Sequence, residues 1–144
     1  MPSLYVLIER ITEAIFRQED APPDYPNPGN LRDAPWFSLI VPAQSWPDAY
    51  RKRQYPDGTL VERVQLGKSG WFWKPRDRAE GEAGALHVVA LHVAELQSIR
   101  QFIPIWAPPN ENATEKYIQN VANWSGVNPE VPVYRQADFE GVGT

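Results

Sequence analysis

Apolar residues at Leu4, Leu7, Ile8, Ile11 and Ile15 recur at the three- and four-residue spacing of one helix face, while Glu13 and Arg17 stand four apart, placed to pair on the exposed side. The predicted helix stops before residues 21–29, where Pro22, Pro23, Pro26 and Pro28 remove backbone donors and push the residues before them out of helical geometry. Between Trp36 and Trp73 the helical period fades. Pro56, Asp57 and Gly58 separate residues 51–55 from residues 59–66, which predicts a hairpin. In its second run Leu60, Glu62, Val64 and Leu66 share one face and Val61, Arg63 and Gln65 the other, as in a partly solvated sheet. Trp71, Phe72 and Trp73 either continue that sheet or cap the core.

From about Gly81 the helical period returns, with Leu86, Val89, Ala90, Val93 and Leu96 on one stripe. Ser98 followed by Gln101 fits a capping box for a shorter helix through Ile99, Phe102, Ile103 and Trp106, which Pro108 and Pro109 end. Asn112 followed by Glu115 fits a second cap, for a helix bearing Tyr117, Ile118, Val121, Ala122 and Trp124 and stopped by Gly126. Residues 135–144 have little to bury and read as a frayed tail after one domain over residues 1–134.

Composition narrows the function classes. Hydrophobic residues at 42% and charged residues at 22% are those of a chain that buries a core. A formal charge of -4 argues against a nucleic-acid partner, since phosphate neutralisation needs clustered Lys and Arg; the short basic run 51–53 reads as a solvated strand end. The absence of Cys excludes disulfides, thiolate nucleophiles and Cys-based zinc sites. His87 and His92 are five apart, roughly 140° around a helix, so they do not chelate one metal as an i, i+4 pair would. No metal or cofactor is expected. No apolar run reaches membrane-span length, and the run 4–8 is broken by Glu9 and Arg10, unlike a signal peptide. Oligomeric state is left open.

The most informative carboxylate is Glu19. At about 100° per residue it falls roughly 20° from Ile8 and 40° from Ile15, on the apolar face at the negative end of the helix dipole. Partial desolvation and the dipole both favour a protonated carboxyl, the form that donates a proton to a glycosidic oxygen. The alternative is a glutamate fraying into water. Residues 27–30, Asn-Pro-Gly-Asn, read as a type II turn with Pro28 second and Gly29 at positive φ third; the amides of Asn27 and Asn30 either serve that turn or face a sugar. Of the six Trp, which are more often core, Trp106 beside the Pro108 and Pro109 turn is the best candidate for stacking on a sugar.

The order of these pieces resembles a known family. Ala-Ile-Phe-Arg-Gln-Glu at 14–19, Asn-Pro-Gly-Asn-Leu-Arg at 27–32, Gly-Ala-Leu at 84–86 and Trp-Ala-Pro-Pro-Asn-Glu-Asn-Ala-Thr-Glu-Lys-Tyr-Ile at 106–118 are similar to segments of lysozyme-like muramidases and lytic transglycosylases of phages and bacteria. Most of the chain outside residues 37–70 is covered. The resemblance implies a lysozyme-like α+β fold, mainly α, with a small antiparallel β-hairpin subdomain. It implies the glycan strand of peptidoglycan as substrate and Glu19 as catalytic acid. It further implies substrate-side roles for Asn27, Asn30, Trp106, Asn110, Glu111 and Tyr117, with the Tyr117 hydroxyl orienting Glu19. Two departures stand out. Asp20 occupies the position after the glutamate where the family usually has Gly, and the Asn-rich run before the turn is shortened to Tyr25, Pro26 and Asn27. A second carboxylate is not singled out among Asp33, Asp48, Asp57 and Glu62, which leaves open a two-carboxylate hydrolase, a one-glutamate transglycosylase that forms an anhydro sugar, and an inactive binding or virion-associated relative.

Overall fold

A computed structural model describes residues 2–31, 54–55, 57–65, 71–107 and 113–138. In chain order these form α1 (Leu4–Glu19), β1 (Glu62–Gln65), β2 (Trp71–Lys74), α2 (Arg78–Ala94), α3 (Ile99–Trp106), α4 (Thr114–Ser125) and a short 3-10 helix (Val133–Gln136). The described chain is mainly helical with one small two-stranded antiparallel sheet, an α+β arrangement weighted to α. Among the described residues, no helix is long and apolar enough to cross a membrane.

Several helix ends have a local cause. The Ser3 hydroxyl accepts from the Val6 N–H at 3.3 Å and opens α1, which buries Leu7, Ile8, Ile11, Ala14 and Ile15. Thr12 is buried on the same helix because its hydroxyl donates to the Ile8 carbonyl at 2.8 Å. The Asp77 carboxylate accepts the Glu80 N–H at 2.8 Å to open α2. The expected capping box of α3 is present: the Ser98 hydroxyl accepts from the Gln101 N–H and the Gln101 side chain accepts from the Ser98 N–H. Gly126, at φ 74, stops α4 as expected.

Several local expectations change. The residue flanking α4 is Ala113, which provides no side-chain cap; Asn112 lies outside the described residues. Among the described residues Glu13 and Arg17 form no ion pair, because the Arg17 guanidinium instead lies 4.2 Å over the Trp124 ring. The turn at 55–59 forms, with Gly58 at φ 89 and the Tyr55 N–H donating to the Thr59 carbonyl at 2.7 Å. Among the described residues its two arms meet in the bridge Gln54 to Leu60, and residues 51–53 of the first arm lie outside them. The strand that follows also pairs with the run 71–74, Glu62 opposite Lys74 through Gln65 opposite Trp71. Phe72 and Trp73 are 3% and 0% exposed, so the run 71–74 both continues the sheet and fills the core.

The chain divides into two compact units, Met1–Gln18 with His92–Thr144, and Glu19–Leu91. In the first, α3 packs on α4, and Ile99, Phe102, Ile103, Val121 and Val133 are fully buried. Arg100 ties this unit together at its surface, meeting Glu115 at 2.7 Å and Glu130 at 2.5 Å. In the second, Trp73 stands at the centre with Leu31, Tyr55, Val61, Phe72, Ala85, Val88 and Val89 also buried.

Candidate functional site

The unit Glu19–Leu91 contains a site built around the loop that follows α1. Glu19 is the last helical residue and is only partly exposed. Asp20 then takes φ 49, the left-handed conformation that ends many helices and that Gly adopts most cheaply. Asp is one of the few other residues that tolerates it.

Three devices fix the loop. The Arg78 guanidinium, reaching back from the start of α2, donates to the carbonyls of Pro22 at 2.9 Å, Pro23 at 3.3 Å and Tyr25 at 3.4 Å, while its Nε holds Glu82 at 3.1 Å. The Pro22 carbonyl also accepts the Tyr25 N–H at 2.9 Å, which closes a turn inside the loop. The Pro26 carbonyl lies so close to Gly81 that a Cβ there would meet its oxygen at 1.8 Å. Finally, the Asn27 amide, 1% exposed, donates to the Leu31 carbonyl at 3.0 Å and the Trp73 carbonyl at 2.9 Å and accepts from the Leu31 N–H at 2.9 Å. With the Trp73 N–H donating to the Leu31 carbonyl at 3.0 Å, the turn is sewn to the outer edge of β2.

The turn itself closes through the Asn30 N–H and the Asn27 carbonyl at 2.9 Å, and its positive φ falls on Asn30 (φ 52), one residue later than the type II turn expected for Gly29. Asn tolerates that conformation, and placing it there turns the Leu31 N–H back to the Asn27 side chain. Of the two amides expected at a sugar, Asn27 is committed to backbone. Asn30 remains partly exposed.

Tyr25, partly buried in the same loop, is not singled out by the sequence pattern. Burial, and secondarily the negative charge of Glu19, push its phenol above the ordinary value of 10.0, so carboxylate and hydroxyl share one electrostatic environment. The signal in the sequence was faint: one aromatic residue inside a proline-rich loop. Beneath the loop a second polar chain stiffens the unit. The Trp73 indole N–H donates to the Tyr55 hydroxyl at 3.3 Å, and that hydroxyl donates to Glu80 at 2.5 Å. Arg76 grips Glu80 at 2.8 Å and Asp57 at 2.8 Å and stacks 3.8 Å over the Tyr55 ring. Burial and the bond to Glu80 hold the Tyr55 phenol protonated far above its usual range.

The candidate second carboxylates have other employment. Asp57 accepts from Thr59 and pairs with Arg76, which lowers its pKa, and Glu62 lies 4.0 Å from Lys74 across the hairpin. Asp33 and Asp48 lie outside the described residues, as do Asn110 and Glu111. Trp106 and Tyr117 belong to the other unit, Trp106 as the partly exposed last residue of α3 and Tyr117 at 3% exposure on the buried face of α4. Glu19, Asn27 and Asn30 are therefore the predicted site residues that fall in one unit. No known protein family, curated protein or solved structure matches this chain.

Proposed function

We propose that the chain is a lysozyme-like protein that cleaves the glycan strand of bacterial peptidoglycan, with Glu19 acting first as general acid and then as general base. The observation that carries this reading is the setting of Glu19: a partly shielded carboxyl at the C-terminus of α1, beside the Tyr25 phenol, leading into a loop clamped by Arg78, Gly81 and Asn27. Acid catalysis of glycoside cleavage needs one carboxyl held in place with restricted hydration, and a rigid loop after the helix supplies the holding.

In the proposed reaction the Glu19 proton goes to the bridging oxygen as the bond from that oxygen to the anomeric carbon breaks. The resulting carboxylate then takes a proton from the nucleophile that attacks the anomeric carbon. If the nucleophile is water, the product is a reducing end; if it is the 6-hydroxyl of the same sugar, the product is an anhydro end. We favour the second route, which the transglycosylases that the sequence resembles follow with a single carboxyl. The raised Tyr25 phenol stays protonated at working pH and does not compete as a base.

Mass spectrometry of soluble products from purified sacculi tests the proposal. Anhydro-muropeptides are expected. Reducing ends alone would move the mechanism to hydrolysis. Binding of sacculi or chitooligosaccharides with no product would leave a glycan-binding module and remove the enzyme.

A further inference from the structure

The unit Met1–Gln18 with His92–Thr144 carries an open groove of about 440 Å³ whose lining includes Val6, Glu9, Arg10, Glu13, Arg17 and Trp124. Glu19 is not among the lining residues. At about 100° per residue, Glu13 and Glu9 lie about 20° and 60° to one side of Val6, and Arg17 and Arg10 about 20° and 40° to the other. The face is divided into an acidic flank and a basic flank with an apolar floor between them.

Glu9 and Glu13 are spaced i, i+4, where like charges repel. Among the described residues neither of them, nor Arg10, makes an ion pair. Arg17 is held 4.2 Å over the ring of Trp124, which is 38% exposed, so the basic flank has a fixed aromatic wall. A ligand carrying an ammonium and a carboxylate on a short apolar spacer relieves both flanks at once, and the volume falls within the range of roughly 300–1,000 Å³ usual for small-ligand sites.

We infer that this groove binds a short zwitterionic peptide, its ammonium against Glu9 and Glu13, its carboxylate against Arg10 and Arg17, and its spacer on Val6 and Trp124. The assignment of that peptide rests on the glycan-cleavage reading: the strands of peptidoglycan carry stem peptides with a free amine and free carboxylates. The groove would then read the peptide part of the polymer whose glycan part Glu19 acts on.

The test is calorimetric titration with a glycan-free, diaminopimelate-containing tetrapeptide and with the same peptide acetylated and amidated to remove its charges. Wild type, Glu9→Gln with Glu13→Gln, Arg10→Gln and Glu19→Gln are compared, with thermal melts to check folding and sedimentation to record association state. Wild type and Glu19→Gln are expected to bind the charged peptide equally and the blocked one not at all. Each groove variant should lose about tenfold in affinity, as for one charge-assisted contact. Absence of binding by wild type, equal binding of the blocked peptide, or unchanged affinity in the groove variants overturns the inference. So does a dimer that the groove variants abolish, which would make a second copy the occupant. Sacculus cleavage by the same proteins separates the two proposals. Cleavage without peptide binding removes the groove assignment and leaves Glu19 in place, and peptide binding without cleavage does the reverse.

Discussion

Replacing Asn27 by Ala removes three hydrogen bonds to backbone and no side-chain partner. The Leu31 carbonyl keeps a donor, since the Trp73 N–H also reaches it at 3.0 Å. The Leu31 N–H and the Trp73 carbonyl lose the Asn27 bond in a place where Asn27, Leu31 and Trp73 are 1%, 3% and 0% exposed. The buried Leu31 N–H is left without its Asn27 partner, which costs about 1–3 kcal/mol, so Asn27→Ala should destabilise the protein by about that amount. At roughly 3 °C per kcal/mol for a chain of this size, Tm should fall by on the order of 3–9 °C. Urea unfolding followed by circular dichroism gives the free energy and the midpoint together. Asn27→Asp separates the contributions: it keeps the acceptor for the Leu31 N–H, loses both donated bonds and buries a charge, and should be no more stable than Ala. A loss below about 1 kcal/mol for Asn27→Ala would refute the view that this amide fastens the turn to β2.

Gly81→Ala places a Cβ against the Pro26 carbonyl oxygen, which must move; a loss of about 3 kcal/mol or more by urea unfolding is expected, and a neutral result would show that the loop is not pinned there. At Asp20 (φ 49), Gly should match or stabilise the wild type by up to about 1 kcal/mol while Val destabilises it by a similar amount or more, with sacculus turnover unchanged in Asp20→Gly; lost turnover there would give Asp20 a role beyond backbone conformation. Burial lowers His87 and His92 from the ordinary 6.5, so the unfolded chain takes up protons first as pH falls. The sign is therefore a stability that is complete above about pH 6.5 and declines below it, and His87→Gln with His92→Gln should flatten that decline in pH-dependent melts.

Local signals were legible in the sequence and distant partners were not. The helix starts and stops at Ser98, Gln101 and Gly126 follow from chemistry within four residues, and each appears where the pattern puts it. The turn at Gly58 was equally visible, and so was the aromatic run 71–73 as a continuation of the sheet. Asn27 looked like a recognition residue because the carbonyl it holds, that of Trp73, lies 46 positions away. Arg78 gave no signal as the clamp of a proline-rich loop that precedes it by more than fifty positions. Gly81 reads as an ordinary helix glycine until the Pro26 carbonyl is placed against it. The position of Glu19 at the end of an amphipathic helix could be read directly, since it required only the period of α1.

The most direct test of Glu19 as the acid is the turnover of purified sacculi by wild type and Glu19→Gln at equal folded concentration, with glycan binding measured on both. Glutamine preserves shape but has no proton to give, so the variant should bind with unchanged affinity and release neither anhydro-muropeptides nor reducing ends, while wild type releases product. Product release by Glu19→Gln at the wild-type rate, or none by well-folded wild type, would contradict the assignment.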